Sequence, residues 1–162
     1  MKEIIASILF LVCLVSQASA QVAADSPKTL ISFKSHGAPC FSLCVGEEDL
    51  SCCPVYSFTI SGDGRVNYEG SMGVKTRGKK AHSISAKQVE ELVAEFDKVK
   101  FFSLNNEYND HRIDHTNAIT ISLTVGERTK TIYVSHGEPE ALDILLRKVV
   151  EVSGVKQYLG RS

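Results

Sequence analysis

Two stretches in which apolar and polar residues alternate, each interrupted by a turn, constrain the fold of this chain more than any other feature. In the first, residues 55–60 alternate with apolar side chains at 56, 58 and 60, and residues 65–70 alternate in phase with them. A period of two is that of a β-strand with one buried face. Between the two runs stands Asp63-Gly64, a strong turn signal because glycine takes a positive φ without steric cost. Residues 55–70 therefore predict a β-hairpin.

A second hairpin is predicted further along the chain. Residues 119–134 alternate Ile, Leu and Val with Thr and Ser, and the turn sequence Gly-Glu-Arg divides them into two strands. Two shorter runs predict further strands, one over residues 29–35 and one around residues 80–84. In the first of these runs we expect Leu30 and Phe33 to face inward.

A helical pattern follows each hairpin. The sequence Ser-Ala-Lys-Gln at 85–88 fits a capping box, in which the serine and the glutamine each satisfy a free backbone N–H. Apolar residues at 89, 92, 93, 96 and 99 then repeat at helical spacing, so a helix is expected near residues 86–99. Pro139 suits the first turn of a second helix over residues 139–152. Gly154 can end that helix in a left-handed conformation.

The order of strand, strand and helix occurs twice. "SFTISGDGRVNY" and "SLTVGERTKTIY" share Ser-x-Thr-apolar, a turn and a strand that ends in Tyr, and each precedes a helix and a short apolar tail. We interpret this as one unit used twice, with chance resemblance of two hairpins as the alternative. Either way the elements predict a single α+β domain, with an antiparallel sheet of two hairpins plus one or two further strands and both helices on one face. The expected core packs helix residues against hairpin residues: Leu92, Phe96, Leu142 and Leu145 against Phe58, Ile60, Ile121 and Leu123.

Residues 1–20 predict a signal peptide. A thin positive n-region precedes an apolar run over residues 4–15, which is too short to span a bilayer, and Ala-Ser-Ala ends the segment as a small-residue cleavage site. We therefore expect cleavage after Ala20 and a secreted or periplasmic protein. A leader over residues 21–28 and one domain over residues 29–160 would follow.

The charge balance argues against one class of partner. Lys and Arg number 18 against 19 Asp and Glu, a net charge of −1, so nothing points to nucleic acid or an anionic membrane. A transmembrane helix needs roughly 18 or more apolar residues in a row, and none is expected in the mature chain. We expect no cofactor and no metal. The sequence has no phosphate-binding glycine loop, no HExxH and no Gly-x-Ser-x-Gly.

Four cysteines of the mature chain lie within fourteen positions: Cys40, Cys44, Cys52 and Cys53. An even number in an exported chain is typical of disulfides. Adjacent cysteines rarely bond to each other because the small ring strains the peptide between them, which leaves 40–53 with 44–52, or 40–52 with 44–53. Redox chemistry favours a pair at a helix N-terminus, and a zinc site favours two well-separated pairs. The disulfide interpretation is therefore preferred to both.

The order of these motifs resembles a family of exported bacterial proteins, domain of unknown function 6438. The resemblance rests on "CFSLC" at 40–44, "CPVY" at 53–56 and the hairpin that follows, which has the form DGxVxYxG. The first helix, Asp114, the second hairpin and the ending "QYLG" are also similar, so the resemblance covers roughly residues 29–160. It implies no activity, because none is attached to the family.

The chain departs from the family pattern at two places. Ser42 replaces the usual glycine, and "VGEEDLSCC" at 45–53 separates Cys44 from Pro54. Deleting those nine residues restores "CFSLCPVYS", the family form. We interpret them as an acidic surface insertion that brings two additional cysteines, with a misassembled gene as the alternative origin.

A polar loop predicted over residues 105–117 groups four residues that bind metals or transfer protons: Asp110, His111, Asp114 and His115. They are the candidate binding residues, and the alternative is a solvated loop between a helix and a strand. We assign no catalytic residue. The sequence "KTRGKK" at 75–80 could contact anionic glycans or lipid headgroups, although a solvated loop is the simpler interpretation.

Two classes of function remain. The main hypothesis is a non-catalytic envelope or extracellular domain that binds an envelope protein, a peptide or a glycan through its sheet or loops. The alternative is a small exported enzyme that uses the 110–115 loop, or a thiol or metal site at the cysteines. An enzyme needs a concave site where polar groups converge, whereas a binding module needs only an exposed face or edge.

Overall fold

Seven strands form one sheet around a central first strand. The structure, a computed structural model, describes residues 28–37, 54–109 and 118–160. The strand order is β4-β3-β2-β1-β6-β7-β5, and every neighbouring pair is antiparallel except β5 and β7. The bounds are β1 Thr29–His36, β2 Val55–Ser61, β3 Arg65–Met72, β4 Gly78–Ser83, β5 Glu107–Tyr108, β6 Ile119–Val125 and β7 Arg128–Val134.

Both predicted hairpins are present, and each turn uses a glycine at positive φ. In the β2–β3 turn the N–H of Gly64 bonds to the carbonyl of Ser61 at 2.9 Å, and Gly64 has φ +87°. The β6–β7 turn has two residues, with Gly126 at φ +61° in the first position and Glu127 at negative φ. That combination is a type II′ turn, which matches the twist of the strands it joins.

The helices begin and end close to the predicted residues. Helix α1 covers Ala86–Lys98 and α2 covers Glu140–Val152. The predicted capping box is present, since the Ser85 hydroxyl accepts from the Gln88 N–H at 3.2 Å and the Gln88 side chain accepts from the Ser85 N–H at 3.0 Å. The short apolar segment that follows each helix is itself helical. After α1 it forms a 3-10 turn over Phe101–Ser103, and after α2 it forms α3 over Lys156–Leu159.

The core lies between one face of the sheet and the helices α1 and α2. All eight predicted core residues are buried in it, together with Ile31, Phe33, Val66 and Phe101. The two helices also contact each other through Glu95, whose carboxylate accepts from Lys148 on α2 at 2.9 Å. The α+β class, the single domain and the single-face arrangement of the helices are therefore confirmed.

Two details of the prediction were wrong. Leu30 and Phe33 cannot share a face because they are an odd number of residues apart; Phe33 is buried, whereas Leu30 is only partly buried and lies on the other face. The sheet also has more strands than expected, because β5 lies in the predicted 105–117 loop. Tyr133 N–H bonds to the Asn106 carbonyl at 2.9 Å, and two residues are too few to show an alternating pattern.

A helix follows each hairpin, but β4 lies between the first hairpin and α1, so the order of strand, strand and helix is not strictly repeated. The two hairpins also have opposite hands. Strands β2 and β6 both pair antiparallel with β1 and therefore run in the same direction. From them β3 and β7 lie on opposite sides, while both helices cover the same face. A rotation that superposed the hairpin β2–β3 on the hairpin β6–β7 would put their helices on opposite faces of the sheet, so the two units are not related by rotation.

Candidate functional site

The face of the sheet turned away from the helices carries rows of hydroxyl groups; we call it the open face. Alternation along the strands puts apolar side chains toward α1 and α2 and polar ones on this side. None of the described helices packs on it. Pairs of hydroxyls bond across strands, Thr124 with Thr129 at 2.9 Å and Thr131 with Ser122 at 3.1 Å. Hydroxyl residues of the open face include Ser32, Ser57, Thr59, Thr120, Ser122, Thr124, Thr129 and Thr131.

A shallow depression of about 520 Å³ lies on the open face where β2, β3 and β4 adjoin. Its lining includes the Ser57 and Thr59 hydroxyls, the Asn67 amide, the Glu69 carboxylate and the Lys79 ammonium group. These groups supply both hydrogen-bond donors and acceptors within one concave area. A polar ligand that lies across the strands could therefore bond to several of them.

Four cations lie at the border of this face, and we call Lys75, Arg77, Lys79 and Lys80 the basic edge. Sequence analysis favoured a solvated loop for residues 75–80, but the strand β4 begins at Gly78, so half of the segment belongs to the outermost strand. All four basic residues are exposed. Within the described part of the chain, none of them makes an ion pair or a side-chain hydrogen bond.

The loop that carries the first two cations is held in place by the residue between them. Thr76 donates its N–H to the Tyr158 carbonyl at 3.0 Å, and its own carbonyl accepts from the Tyr68 hydroxyl at 3.1 Å. Because Thr76 is bonded on both sides, Lys75 and Arg77 are displayed from a fixed backbone. The sequence showed the charges of this segment but not the hydrogen bonds that position it.

The side chain of His82 ties the C-terminal segment to β4. His82 bonds through Nε2 to the Ser153 carbonyl at 2.7 Å and through Nδ1 to the Tyr158 hydroxyl at 3.3 Å. A ring nitrogen can donate to the Ser153 carbonyl, and the other can accept from the Tyr158 hydroxyl. Next to it lies a groove of about 1040 Å³ that also includes Ser85, Arg147 and Glu151. The contact fixes one side of β4 and leaves its outer side open.

The predicted cysteine and Asp/His residues all lie outside the described residues: Cys40, Cys44, Cys52, Cys53, Asp110, His111, Asp114 and His115. The residues that flank their two segments are described, and they meet at one end of the sheet. His36 pairs with Val55 across the cysteine segment, and its N–H bonds to the Ala118 carbonyl, beside the Asp/His segment, at 2.9 Å. The buried Ser35 hydroxyl donates to the Pro54 carbonyl at 2.6 Å, one residue after Cys53.

One polar group at this end was not predicted from the sequence. His36 Nε2 lies 2.8 Å from the Thr120 hydroxyl, and its ring centroid lies 6.1 Å from that of Tyr133. Partial burial, and then the charge of Lys34, lower the pKa of His36 below its ordinary value. No sequence signal joins residues 84 positions apart, since their contact depends on the pairing of β1 with β6. Among the described residues there is no group of three or more His, Cys, Asp or Glu that could bind a metal.

The described part of the chain contains no helix with the length and apolar content needed to cross a bilayer. The comparison with curated proteins found no match. Residues 42–153, just over two thirds of the chain, match the model of the family described as Domain of unknown function (DUF6438). That range contains both hairpins, α1, α2 and three of the four cysteines of the mature chain. The chain belongs to the DUF6438 family.

Proposed function

We propose that the protein is an exported, non-catalytic binding module that contacts its partner through the sheet. The observation that carries this proposal is the open face, on which hydroxyl rows and the depression at Asn67 and Glu69 adjoin the basic edge. A rigid sheet presents these groups at fixed spacing, so this protein loses little conformational entropy when a partner binds. The partner we propose is an envelope protein or a glycan.

Export and disulfides belong to the same proposal. The signal-like residues 1–20 support export, and an exported chain encounters oxidising conditions. The pairing of His36 with Val55 supports the disulfides, because it brings the two ends of the cysteine segment together. Cys40 follows His36 by four residues, and Cys52 precedes Val55 by three residues. Chain ends held this close allow short-range bridges without movement of β1 or β2.

Site-specific photo-crosslinking in the producing cell tests the binding surface. A photoreactive amino acid at Ser57 or Thr124 on the open face is expected to give discrete adducts with envelope components. The same amino acid at Glu90 on α1 or Ala141 on α2 serves as the matched control, because both positions are exposed on the helix layer. Equal adduct yields from the two layers would contradict a sheet-based binding surface.

A further inference from the structure

We propose that β4 binds an extended acidic peptide as an additional strand of the sheet. The inference rests on the proposed function and names the partner chemistry at one border of the same surface. It combines two properties that β4 has among the described residues, a backbone edge with no paired strand and a positive charge with no ion pair. Neither property alone identifies a partner.

The first property is the backbone of β4. It is the outermost strand on its side of the sheet, and five of its six residues are exposed. Within the described residues, the backbone groups of Gly78–Ser83 make no hydrogen bond beyond the ladder with β3. Alternate N–H and C=O groups along the strand are therefore directed outward, which is the geometry that an added strand requires.

The second property is the charge of the basic edge. The only carboxylate in register with it is Glu69, opposite Lys79, and that pair makes no ion pair within 4 Å in the described structure. The positive charge lies at one end of β4, because Ala81, His82 and Ser83 follow Lys80. A partner strand should accordingly be acidic in one half and neutral in the other.

The faces of β4 specify the partner further. Lys79 is opposite Glu69 and lies on the open face, whereas Lys80 is opposite the buried Tyr68 and lies toward the helix layer. Successive residues of an added strand also alternate between these faces. Two acidic residues in succession would therefore place one carboxylate beside each lysine, where charged cross-strand pairs are favourable.

Two other partners fit the observations less well. A second copy that paired antiparallel through β4 would set its neutral half, Ala81 to Ser83, opposite the cations and would supply no carboxylate to them. An anionic glycan would interact with the cations but leave the backbone N–H groups of β4 unused. A peptide backbone is the partner that uses both properties.

Binding of a defined peptide to the mature protein tests the inference. The probe is Thr-Val-Thr-Val-Glu-Asp-Glu-Asp with blocked ends, which matches β4 in antiparallel orientation. We expect saturable binding by calorimetry, together with slower amide hydrogen exchange in residues 78–83. The double variant Lys79→Glu/Lys80→Glu should weaken binding at least tenfold. Lys87→Glu/Lys100→Glu changes net charge equally at exposed positions of the helix layer and should change affinity less than twofold.

Four outcomes would overturn the inference. A peptide that is N-methylated at alternate residues keeps its charges but loses its hydrogen bonds, so binding as tight as that of the parent would identify a site for polyanions in general. A sulfated glycan that binds tenfold more tightly than the peptide would also identify a general polyanion site. A tenfold gain in affinity in the variant Glu47→Gln/Glu48→Gln/Asp49→Asn would show that the chain's own acidic segment occupies the edge. If crosslinking from Ser57 and Thr124 succeeds while the peptide fails, the inference falls and the proposed function stands.

Discussion

Three tyrosines in contact, two on the sheet and one on α3, show how single side chains connect the core to the basic edge. Tyr56 and Tyr68 stack with ring centroids 6.2 Å apart, and Tyr68 and Tyr158 lie 4.8 Å apart. The Tyr68 hydroxyl reaches the Thr76 carbonyl and so fixes the loop of the basic edge. Burial, and then the proximity of Tyr68, raise the pKa of Tyr56 to about 12.

This raised pKa predicts a loss of stability at alkaline pH. The native state keeps the Tyr56 proton more tightly than the unfolded chain, whose tyrosine has its ordinary pKa of 10.0. The stabilisation is complete below pH 10 and is lost as pH rises from 10 to about 12, by roughly 3 kcal/mol in total. Urea unfolding of the wild type and of Tyr56→Phe at pH 8 and pH 11.5 measures it. The variant should lose less stability than the wild type, and equal losses would contradict the assignment.

Alanine substitutions at two glycines distinguish the cost of backbone strain from the cost of steric overlap. At Gly64, which has φ +87°, an added Cβ would overlap the Ile84 carbonyl oxygen, just before the cap of α1. At Gly126, which has φ +61°, a Cβ meets nothing within 4 Å. We expect Gly126→Ala to lower the free energy of unfolding by about 1 kcal/mol from strain alone. Gly64→Ala should lower it by about 3 kcal/mol from strain and overlap, and equal losses in urea unfolding would refute the difference.

At the scale of elements, local patterns and long-range pairing contributed differently. The hairpins and helices follow from periods of 2 and 3.6 residues together with turn and capping residues, all of which act within a few positions. Strand β5 depends instead on β7, and Lys130 further fixes the chain before β5 through 2.6 Å bonds to the Leu104 carbonyl and the Asn106 side chain. The basic edge shows both effects, because its positive charge is evident in the sequence, whereas its position on the outermost strand follows only from long-range pairing with β3.

The connection between β1 and β2 carries a prediction about the insertion. Their ladder ends at His36 and Val55, so the loop between them is closed by strand pairing whatever its length. Under reducing conditions, which remove the contribution of the expected disulfides, deleting residues 45–53 should leave a folded domain. Its free energy of unfolding should differ from that of the reduced wild type by about 1 kcal/mol or less, because halving a flexible loop changes its closure entropy only slightly. Urea unfolding and circular dichroism check this. Loss of the folded state would show that these nine residues are part of the core.

At the scale of the whole molecule, one face of the sheet is polar, and none of the described helices covers it. The helices cover the apolar side, and the C-terminal segment is tied to β4 through His82. The open face and the basic edge are therefore displayed by the same rigid body. That arrangement explains why a binding function suits this fold, although fold alone does not identify a partner.

The cysteines provide a test at the same scale. We expect non-reducing mass mapping of the mature protein to find no free thiol and to find Cys40 bonded to Cys52 or Cys53. Reduction should lower the free energy of unfolding by roughly 3 kcal/mol, the chain-entropy value for a loop of about fourteen residues. A matched sample alkylated only after denaturation serves as the control. Titratable thiols of low pKa at Cys44 and Cys53 in the folded protein would instead support redox chemistry.

The sequence by itself determined the two hairpins, the helices α1 and α2, the capping box and the single α+β domain, because each of these depends on neighbours a few residues apart. Only the tertiary structure decided that β1 lies at the centre, that the hairpins extend from it with opposite hands, and that His36 meets Thr120. Backbone hydrogen bonds are alike for every strand, so the choice of partner strand is made by the packing of the whole core. For the same reason the sequence showed four cations within six residues, and only the folded sheet showed that Lys79 and Lys80 lie on the outermost of its described strands.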